Sequence, residues 1–259
     1  MRTVHLRLRL RVPRLHALAA LLVALATSIV APSAFAAEAP ATPRPPPAPL
    51  VHDLTPISLF NGRDFSGLHV FVDGTDTAPS AAWKIEDGIL RCTGLGKGYV
   101  RTTAAYADYT LRLEWRWPVR TGNSGIMLSL VGRDLIWPKC IEAQLAANRA
   151  GEFATFSDAR SKEEIISRNP TGVSTGRLAR APGPATEKPQ GEWNVFEIVV
   201  AGDTITTTVN GQFIQRMTGV LPSGGTIGFQ SEGTPVDFRH IVLTPLPAAK
   251  NLNAPMPAR

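Results

Sequence analysis

Glu142 and Gln144 are the side chains of this 259-residue chain whose types and spacing best suit chemistry. They lie in the run Cys140–Leu145, where apolar and polar residues alternate. This period of two predicts a β-strand with both polar groups on one face. A carboxylate and a carboxamide so placed can bind sugar hydroxyl groups, and the carboxylate can also move a proton. The same pattern is also typical of ordinary solvated strand residues, so both interpretations stay open at this point.

The segments on either side of this strand would shape such a site. A second apolar run, Ile126–Val131, precedes it, and a polar loop that ends in Trp137 joins the two runs. Residues 151–190 follow with little strand pattern. A long irregular insertion of this kind is usually a functional loop and otherwise a disordered segment. Within it, Ser161–Arg168 matches a capping box and predicts a short helix.

Short alternating strands dominate the rest of the chain. Residues 109–117 alternate strictly between apolar and polar types, and the Asp-Gly pair at 87–88 and the Asn-Gly pair at 210–211 predict tight hairpin turns. Many short strands joined by such turns predict an all-β fold. We expect a two-sheet antiparallel sandwich of the jelly-roll kind with one long irregular insertion.

The two ends of the chain differ from its middle in composition. Residues 1–36 combine an Arg-rich start, an apolar run and an Ala-x-Ala site, which predicts a cleavable signal peptide. A membrane anchor is the alternative, although the apolar run is short for one. We therefore expect a periplasmic or secreted protein with no membrane span after cleavage. Residues 37–51 form a proline-rich linker, 52–246 a single domain, and 247–259 a tail.

The formal charge of +6 does not by itself indicate a nucleic-acid partner. Five arginines of the predicted signal peptide account for most of it, and without them 22 basic residues face 21 acidic ones. No basic stripe indicates nucleic-acid binding. The chain also lacks the G-x-S-x-G, G-x-G-x-x-G and C-x-x-C patterns, which disfavours serine hydrolase, nucleotide-cofactor and thiol-redox classes. Cys92 and Cys140 are the only cysteines, and either a disulfide or two buried thiols fits them.

Arg112, Glu114 and Arg116 share the polar face of one predicted strand. Any half-exposed antiparallel strand shows this pattern, and one of these arginines could simply pair with Glu142. If their face is also the one that carries Glu142, either arginine could stabilise negative charge in a substrate. Lys139 stands at the entrance of the Glu142 strand and could reach a ligand, or could be an ordinary exposed lysine.

Further candidate site residues could stack on a sugar ring or bind a metal ion. Trp137 and Trp193 could stack on a sugar ring, although tryptophan on a strand is more often core. His52, His69 and His240 are too far apart in sequence to indicate a zinc site. A site for Ca²⁺ or a similar divalent cation stays open, with these candidate ligands: Glu142, Glu152 and Asp158.

Seven short motifs follow one another in an order that resembles a known family. They are Leu59–Asp64, Trp83–Gly88, Leu111–Trp115, Gly122–Ile126, Trp137–Lys139 with Ile141, Glu142 and Gln144, Gly191–Asn194, and Gln230–Gly233. Each motif is weak by itself, but the ordered set is specific. The chain resembles the 3-keto-disaccharide hydrolase family over about residues 56–245.

This resemblance implies a concanavalin-like jelly roll that acts on 3-keto-glucosides, which a separate sugar 3-dehydrogenase would supply. The family chemistry is cleavage of the C1–O bond by β-elimination across C1–C2, with hydration of the product in some members and suspected metal dependence in others. The chemistry is physically plausible because a C3 ketone acidifies the proton on C2. The enolate that forms then needs positive charge or hydrogen-bond donors near O3.

The resemblance also suggests roles for residues. Glu142 matches the family's acidic position and would be the general base or a metal ligand, and Gln230 and Glu232 would be neighbours of the site. From the residue patterns themselves, Arg112 and Lys139 are further candidate catalytic groups. The complete set of candidate substrate-binding residues is Gln144, Glu114, Arg116, Asn123, Trp137, Trp193, Gln230 and Glu232. In one departure, Glu152 stands where an aspartate is expected, which weakens any ligand assignment there.

The sequence therefore favours an exported enzyme that cleaves 3-keto-glycosides. A non-catalytic carbohydrate-binding module on the same fold is the main alternative. A scaffold whose 151–190 insertion binds another protein is a weaker one.

Overall fold

The computed structural model describes residues 54–74, 76–162, 165–168, 174–179 and 185–247. Within them lie one short helix, α1 (Pro79–Ala82), and a series of strands. The strands are β1 (Ile57–Ser58), β2 (Leu68–Val72), β3 (Trp83–Glu86), β4 (Ile89–Cys92), β5 (Lys97–Thr102), β6 (Tyr109–Arg116), β7 (Gly125–Val131), β8 (Lys139–Gln144), β9 (Phe153–Phe156), β10 (Ile165–Arg168), β11 (Ser174–Leu178), β12 (Asn194–Ala201), β13 (Thr204–Val209), β14 (Gln212–Met217), β15 (Thr226–Glu232) and β16 (Val236–Pro245).

Two antiparallel sheets contain all of these strands. The first sheet has the order β14-β13-β12-β6-β16-β4-β3, with β1 paired to β16. The second sheet has the order β10-β11-β9-β8-β7-β15-β5-β2. The predicted all-β, two-sheet jelly-roll sandwich is confirmed. Both predicted hairpin turns are present as well, since Asp87 and Asn210 adopt the positive φ angles of 54° and 50° that such turns require.

The main core lies between the two sheets. From the first sheet, alternate residues of β6 such as Leu111, Leu113 and Trp115 are fully buried, and Ile141 and Ala143 of β8 face them from the second sheet. Each large side chain contributes about 1.5–3 kcal/mol of stability by leaving water. The period of two seen in the sequence therefore fixes which residues point inward.

The outer face of the second sheet is apolar too, which sets it apart from the outer face of the first. Tyr99, Met127, Cys140 and Phe156 form part of a second buried cluster there, and Trp137 packs against it. Strands β7 and β8 are accordingly buried along almost their whole length, on both faces. This covered outer surface is where the candidate site lies.

The prediction of a short helix at Ser161–Arg168 is wrong, because Ile165–Arg168 forms β10. The 151–190 insertion is also less irregular than predicted, since β9, β10 and β11 extend the second sheet from β8. Backbone pairing at a sheet edge overrides the weak helix preference of a short segment, and isoleucine favours strands. Residues 163–164, 169–173 and 180–184 of the insertion lie outside the described residues.

The two cysteines are both buried and free. Cys92 packs in the core between the sheets, whereas Cys140 belongs to the outer cluster of the second sheet, so the disulfide alternative is excluded. The predicted signal peptide and linker, and all but the first residue of the predicted tail, lie outside the described residues. Among those that are described, no helix has the length and apolar character to cross a bilayer.

Candidate active site

A cleft of about 240 Å³ opens on the outer face of the second sheet. Its lining combines two carboxylates, two carboxamides, one cation and two aromatic rings. These residues are Glu142, Glu232, Asn123, Gln144, Arg177, Trp137 and Phe156. The mixture of an apolar wall with a few convergent polar groups is typical of sites that bind small polar molecules.

Strand register places Glu142 at the floor of this cleft. On β8 it lies opposite Met127 of β7 and opposite Ala154 of β9, and Gln144 lies opposite Gly125. Paired residues of antiparallel strands point to the same side of the sheet. The alternation of β8 therefore turns Glu142 away from the core and into the cleft, as the sequence predicts.

The Glu142 carboxyl group is buried, with only 2% of the residue exposed. Its Oε1 atom has no hydrogen-bond partner among the described residues. Burial raises the pKa of Glu142 to about 8, and the nearby Glu232 carboxylate adds to the increase, whereas Arg177 and Arg149 oppose it. At neutral pH the group is therefore mostly protonated, as a general acid must be.

Gly125 makes room for this carboxyl group. A Cβ atom at position 125 would overlap Oε1 of Glu142, so the glycine lets the acid lie directly against β7. We predict that Gly125→Ala pushes the carboxyl group out of its place and lowers the rate of any reaction in which Glu142 transfers a proton by about 10²-fold, since a displacement of about 1 Å can cost that much. Steady-state kinetics would measure this effect.

The matched control is Gly228→Ala on β15, which pairs with Met127. A Cβ there would meet Met127 at 3.2 Å, a contact that a small shift relieves. We expect this variant to keep turnover close to that of the unchanged protein. Equal losses in the two variants would show that general disturbance of the sheet, and not the position of Glu142, causes the effect.

Glu232 is the second carboxylate of the cleft. It lies at the end of β15, where the Nδ2 atom of Asn123 donates a hydrogen bond to its Oε2 atom at 2.5 Å. Burial raises the pKa of Glu232, while Lys97 and Arg177 act in the opposite direction. Two carboxyl groups that interact in one cleft favour holding one proton between them, because two negative charges at close range repel each other.

Gln144 is held in one orientation. Its Oε1 atom accepts hydrogen bonds from the backbone N–H groups of Leu145 and Ala146, each at 3.0 Å. Because the carboxamide oxygen is engaged, the NH₂ group is the part of this cleft-lining side chain that is left to donate to a ligand.

Trp137 and Phe156 form the aromatic wall. Their rings stack with centroids 5.1 Å apart and an interplanar angle of 18°. The Ser157 hydroxyl group donates to the Trp137 carbonyl oxygen at 2.7 Å, which ties the tryptophan to the turn after β9. An apolar surface of this kind can pack against the C–H face of a sugar ring.

A polar network anchors the loop that carries Trp137. Asp134 accepts hydrogen bonds from the Tyr99 hydroxyl group at 2.8 Å and from the Arg101 guanidinium at 2.9 Å, and it also contacts His69 at 3.0 Å. These contacts connect the loop to β5 and β2. The position of the aromatic wall therefore depends on strands β5 and β2, to which its loop is bonded.

Arg112, Glu114 and Arg116 do not belong to this site. They lie on β6 of the first sheet, whose outer face is on the opposite side of the sandwich. Glu114 accepts a hydrogen bond from Arg239 at 2.7 Å, and Arg116 pairs with buried Asp237 at 2.8 Å. The three side chains do share one face of β6, as predicted. They cannot contact Glu142, because β6 pairs with β12 and β16 of the first sheet and with no strand of the second sheet.

Three further predicted site residues lie outside the cleft lining. Trp193 lies next to the first sheet, with the guanidinium groups of Arg116 and Arg239 at 4.5 and 4.0 Å from its ring. Lys139 is exposed at the start of β8. Gln230 shares the outer face of the second sheet and is 2% exposed, and its Oε1 atom has no partner among the described residues.

The structure adds two residues that sequence reasoning missed. Phe156 and Arg177 line the cleft from β9 and β11. Both fall in the segment that was predicted to be irregular. The β-favouring residues Phe153, Thr155 and Phe156 were a signal for β9, but nothing local in the sequence linked Arg177 to Glu142.

The candidate cation ligands do not form a set. No group of three His, Cys, Asp or Glu side chains in the described part of the chain is arranged to hold a metal ion. Glu152 is paired with Arg149, Asp158 is exposed on the turn after β9, and neither of them lines the cleft with Glu142. These three described residues therefore do not form a Ca²⁺ site.

The family model of the 3-keto-alpha-glucoside-1,2-lyase-like domain matches residues 55–244. The chain belongs to this family. The predicted membership in the 3-keto-disaccharide hydrolase family is thereby confirmed. None of the curated proteins matches the chain.

Several solved structures are similar to this chain. Two are candidate glycosyl hydrolases from Parabacteroides distasonis. One is 21% identical, with a TM-score of 0.54, and the match covers 74% of this chain and 100% of that one. The other is 19% identical, with a TM-score of 0.53 and coverages of 74% and 94%. Carbohydrate-binding module CBM66 from Bacillus subtilis is more distant, at 13% identity, coverages of 68% and 93%, and a TM-score of 0.48.

This member of the 3-keto-alpha-glucoside-1,2-lyase-like family thus shares its jelly-roll fold with the two Parabacteroides distasonis structures. Its cleft brings together a neutral buried acid, a second carboxylate, amide donors and an aromatic wall. Such a set can bind a small sugar and transfer protons on it.

Proposed function

We propose that this protein cleaves 3-keto-glycosides at the anomeric C–O bond by β-elimination. The observation that carries the proposal is Glu142, a buried and uncharged acid that lines a sugar-sized cleft together with a second carboxylate, Glu232. Family membership supports the substrate class. A cleft of about 240 Å³ is smaller than the range of roughly 300–1,000 Å³ that drug-sized ligands occupy, which suits a single sugar ring with the aglycone outside.

The reaction needs one base and one acid. The base removes the C2 proton, and the electron pair of the C2–H bond moves into the C3 carbonyl to form an enolate. When the enolate reverts to the ketone, a C1=C2 double bond forms and the C1–O1 bond breaks. The acid delivers a proton to O1, so that the aglycone leaves as an alcohol. Addition of water to the unsaturated product would complete a net hydrolysis.

The environments of the two carboxyl groups indicate how these roles divide. Glu142 is the more deeply buried, and its pKa of about 8 makes it the proton donor to O1. Burial raises the pKa of Glu232 as well, but Glu232 is less buried than Glu142, and Lys97, Arg177 and the hydrogen bond from Asn123 favour its ionised form, so we assign it as the base for C2. Paired groups whose environments differ in this way commonly divide the acid and base roles. The assignment moves the role of base from Glu142 to Glu232.

A nitrophenyl 3-keto-glucoside tests the proposal. We expect the purified protein to release nitrophenol from this compound and not from the nitrophenyl glucoside that retains its C3 hydroxyl group. Glu232→Gln should slow release by roughly 10²–10⁴-fold, the usual contribution of general base catalysis. Parallel assays with EDTA would show whether a divalent cation contributes.

The same assay separates the enzyme from a carbohydrate-binding module. A module would release no nitrophenol and would bind the unoxidised glucoside as well as the keto form. The buried acid without a partner favours the enzyme, because such a group is costly in a domain that only binds sugar.

We also propose that the protein is exported from the cytoplasm. A signal peptide at residues 1–36 would deliver the protein to the periplasm or the medium, where a separate sugar 3-dehydrogenase would supply the substrate. Sequencing of the amino terminus after expression in a Gram-negative host would test cleavage after Ala36.

A further inference from the structure

We propose that Arg177 stabilises the negative charge that develops on O3 of the substrate, and that it thereby makes the site selective for keto sugars. This inference rests on the proposed function and adds to it the cation that the elimination requires. The sequence suggested Arg112 or Arg116 for this task, but the structure places both on the other side of the sandwich.

Strand register places Arg177 in line with Glu142. Glu142 of β8 pairs with Ala154 of β9, and Ala154 in turn pairs with Arg177 of β11. The three residues therefore form one row across three neighbouring strands, with their side chains on the same face of the sheet. Neighbouring strands are about 4.8 Å apart, so the backbones at Glu142 and Arg177 are separated by roughly 10 Å.

The middle position of this row carries a small side chain. Ala154 is buried in the outer cluster, and its methyl group is the only side-chain atom that the row places between the positions of Glu142 and Arg177. Both flanking side chains line the cleft. A sugar ring bound in the cleft therefore has the proton donor and the cation among its neighbours.

The charge of Arg177 is available to a ligand. The side chain is exposed, and it forms no hydrogen bond or ion pair with any residue that the structure describes. It is the sole cation among the described residues that line the cleft. Arg149, by contrast, is engaged by Glu152 and is absent from the lining.

The shape of the guanidinium group suits an enolate oxygen. Its N–H donors lie in one plane, and an sp² oxygen presents two lone pairs in the plane of its own substituents. A C3 hydroxyl group carries a hydrogen that must find an acceptor, which Arg177 does not offer. Because O3 gains negative charge only as the C2 proton leaves, the contact strengthens in the transition state and raises turnover more than binding.

Substitution of Arg177 tests the assignment. We expect Arg177→Met to lower kcat for the nitrophenyl 3-keto-glucoside by about 10²–10³-fold with a much smaller change in KM, as loss of one stabilising group at an oxyanion does. Arg177→Lys keeps the charge but loses the planar donor pair, so it should recover part of the rate. Arg216→Met, which removes an exposed arginine from β14 of the first sheet, is the matched control and should behave like the unchanged protein.

Exchange of the substrate's C2 proton with solvent deuterium separates the two possible roles of Arg177. If Arg177 only stabilised the fold, its substitution would not change this exchange in the folded protein. In D₂O, a methyl 3-keto-glucoside with the Glu142→Gln protein should lose its C2 proton signal without loss of the aglycone. The double variant with Arg177→Met should lose this exchange as well. Thermal unfolding of each variant would confirm that it is folded.

The outcomes are distinguishable. If the unchanged protein releases no aglycone from any 3-keto-glucoside, the proposed function fails and Arg177 fails with it. If the unchanged protein is active and Arg177→Met keeps kcat and C2 exchange, only the assignment of Arg177 is overturned. A rise in KM that is equal for keto and unoxidised sugars would make Arg177 a general sugar ligand and would also overturn it.

Discussion

Replacement of Glu142 by glutamine is expected to stabilise the folded protein by roughly 3–5 kcal/mol at pH 8 and above. The reason is the buried carboxyl group, whose pKa is raised from 4.5 to about 8 in the folded state. Between these two pH values the unfolded chain loses the proton and the folded chain keeps it. Stability of the unchanged protein therefore falls as the pH rises from about 4.5 to about 8, and then levels off. Glutamine has no proton to lose and avoids this loss.

Urea unfolding at pH 4.5, 7 and 9 would measure the effect. The two proteins should have similar free energies of unfolding at pH 4.5, and the difference should grow to its full size by pH 9. Glu192→Gln, at an exposed position, is the matched control and should be nearly neutral throughout. Equal stabilities of the Glu142→Gln and unchanged proteins at pH 9 would mean that the Glu142 carboxyl group is not held in its neutral form.

The same substitution is expected to slow cleavage of alkyl 3-keto-glycosides by about 10²–10⁴-fold, the usual range for loss of a general acid. An alkoxide leaves poorly without a proton, whereas a nitrophenolate needs little help. The rate with a nitrophenyl aglycone should therefore change far less. In the unchanged protein, kcat/KM for the alkyl substrate should decrease above about pH 8 as Glu142 loses its proton.

Comparison of methyl and nitrophenyl substrates across pH 5–10 would check both parts. The alkaline decrease should be absent in the Glu142→Gln protein. A loss of equal size for both aglycones, or a rate that rises through pH 8, would assign Glu142 as the base and return Glu232 to a binding role. The Glu232→Gln variant supplies the matched comparison, because loss of the base should slow both substrates alike.

The two expected effects of Glu142→Gln, higher stability and slower cleavage, have the same cause. The cleft holds an acid without a hydrogen-bond partner in an apolar setting of Met127, Cys140 and Ala154, and a neutral replacement would suit the fold better. Groups of this kind persist where activity needs them, at a cost in stability. Gly125 belongs to the same arrangement, since it lets the acid lie against β7.

Local patterns in the sequence were sufficient for much of the fold and for part of the site. Alternation along β6 and β8 decided which residues point into the core, because successive side chains of a strand must point to opposite faces. The Asp-Gly and Asn-Gly pairs set two hairpins for reasons of backbone sterics alone. The same alternation placed Glu142 and Gln144 together, and the motif order added Asn123, Trp137 and Glu232, all of which line one cleft.

Other features depended on which strands pair, and local patterns do not encode that. Alternation could not tell that Arg112 and Arg116 belong to the opposite sheet from Glu142, since the polar faces of both sheets look alike in sequence. It could not show that the outer face of the second sheet is apolar and covered, and this burial is what raises the pKa of Glu142. Arg177 came to the cleft only because β11 adds to the edge of β9, 35 positions after Glu142 in the chain. Local alternation is enough to assign the two faces of each strand. Which faces meet depends on strand pairing, a long-range contact that no short pattern specifies.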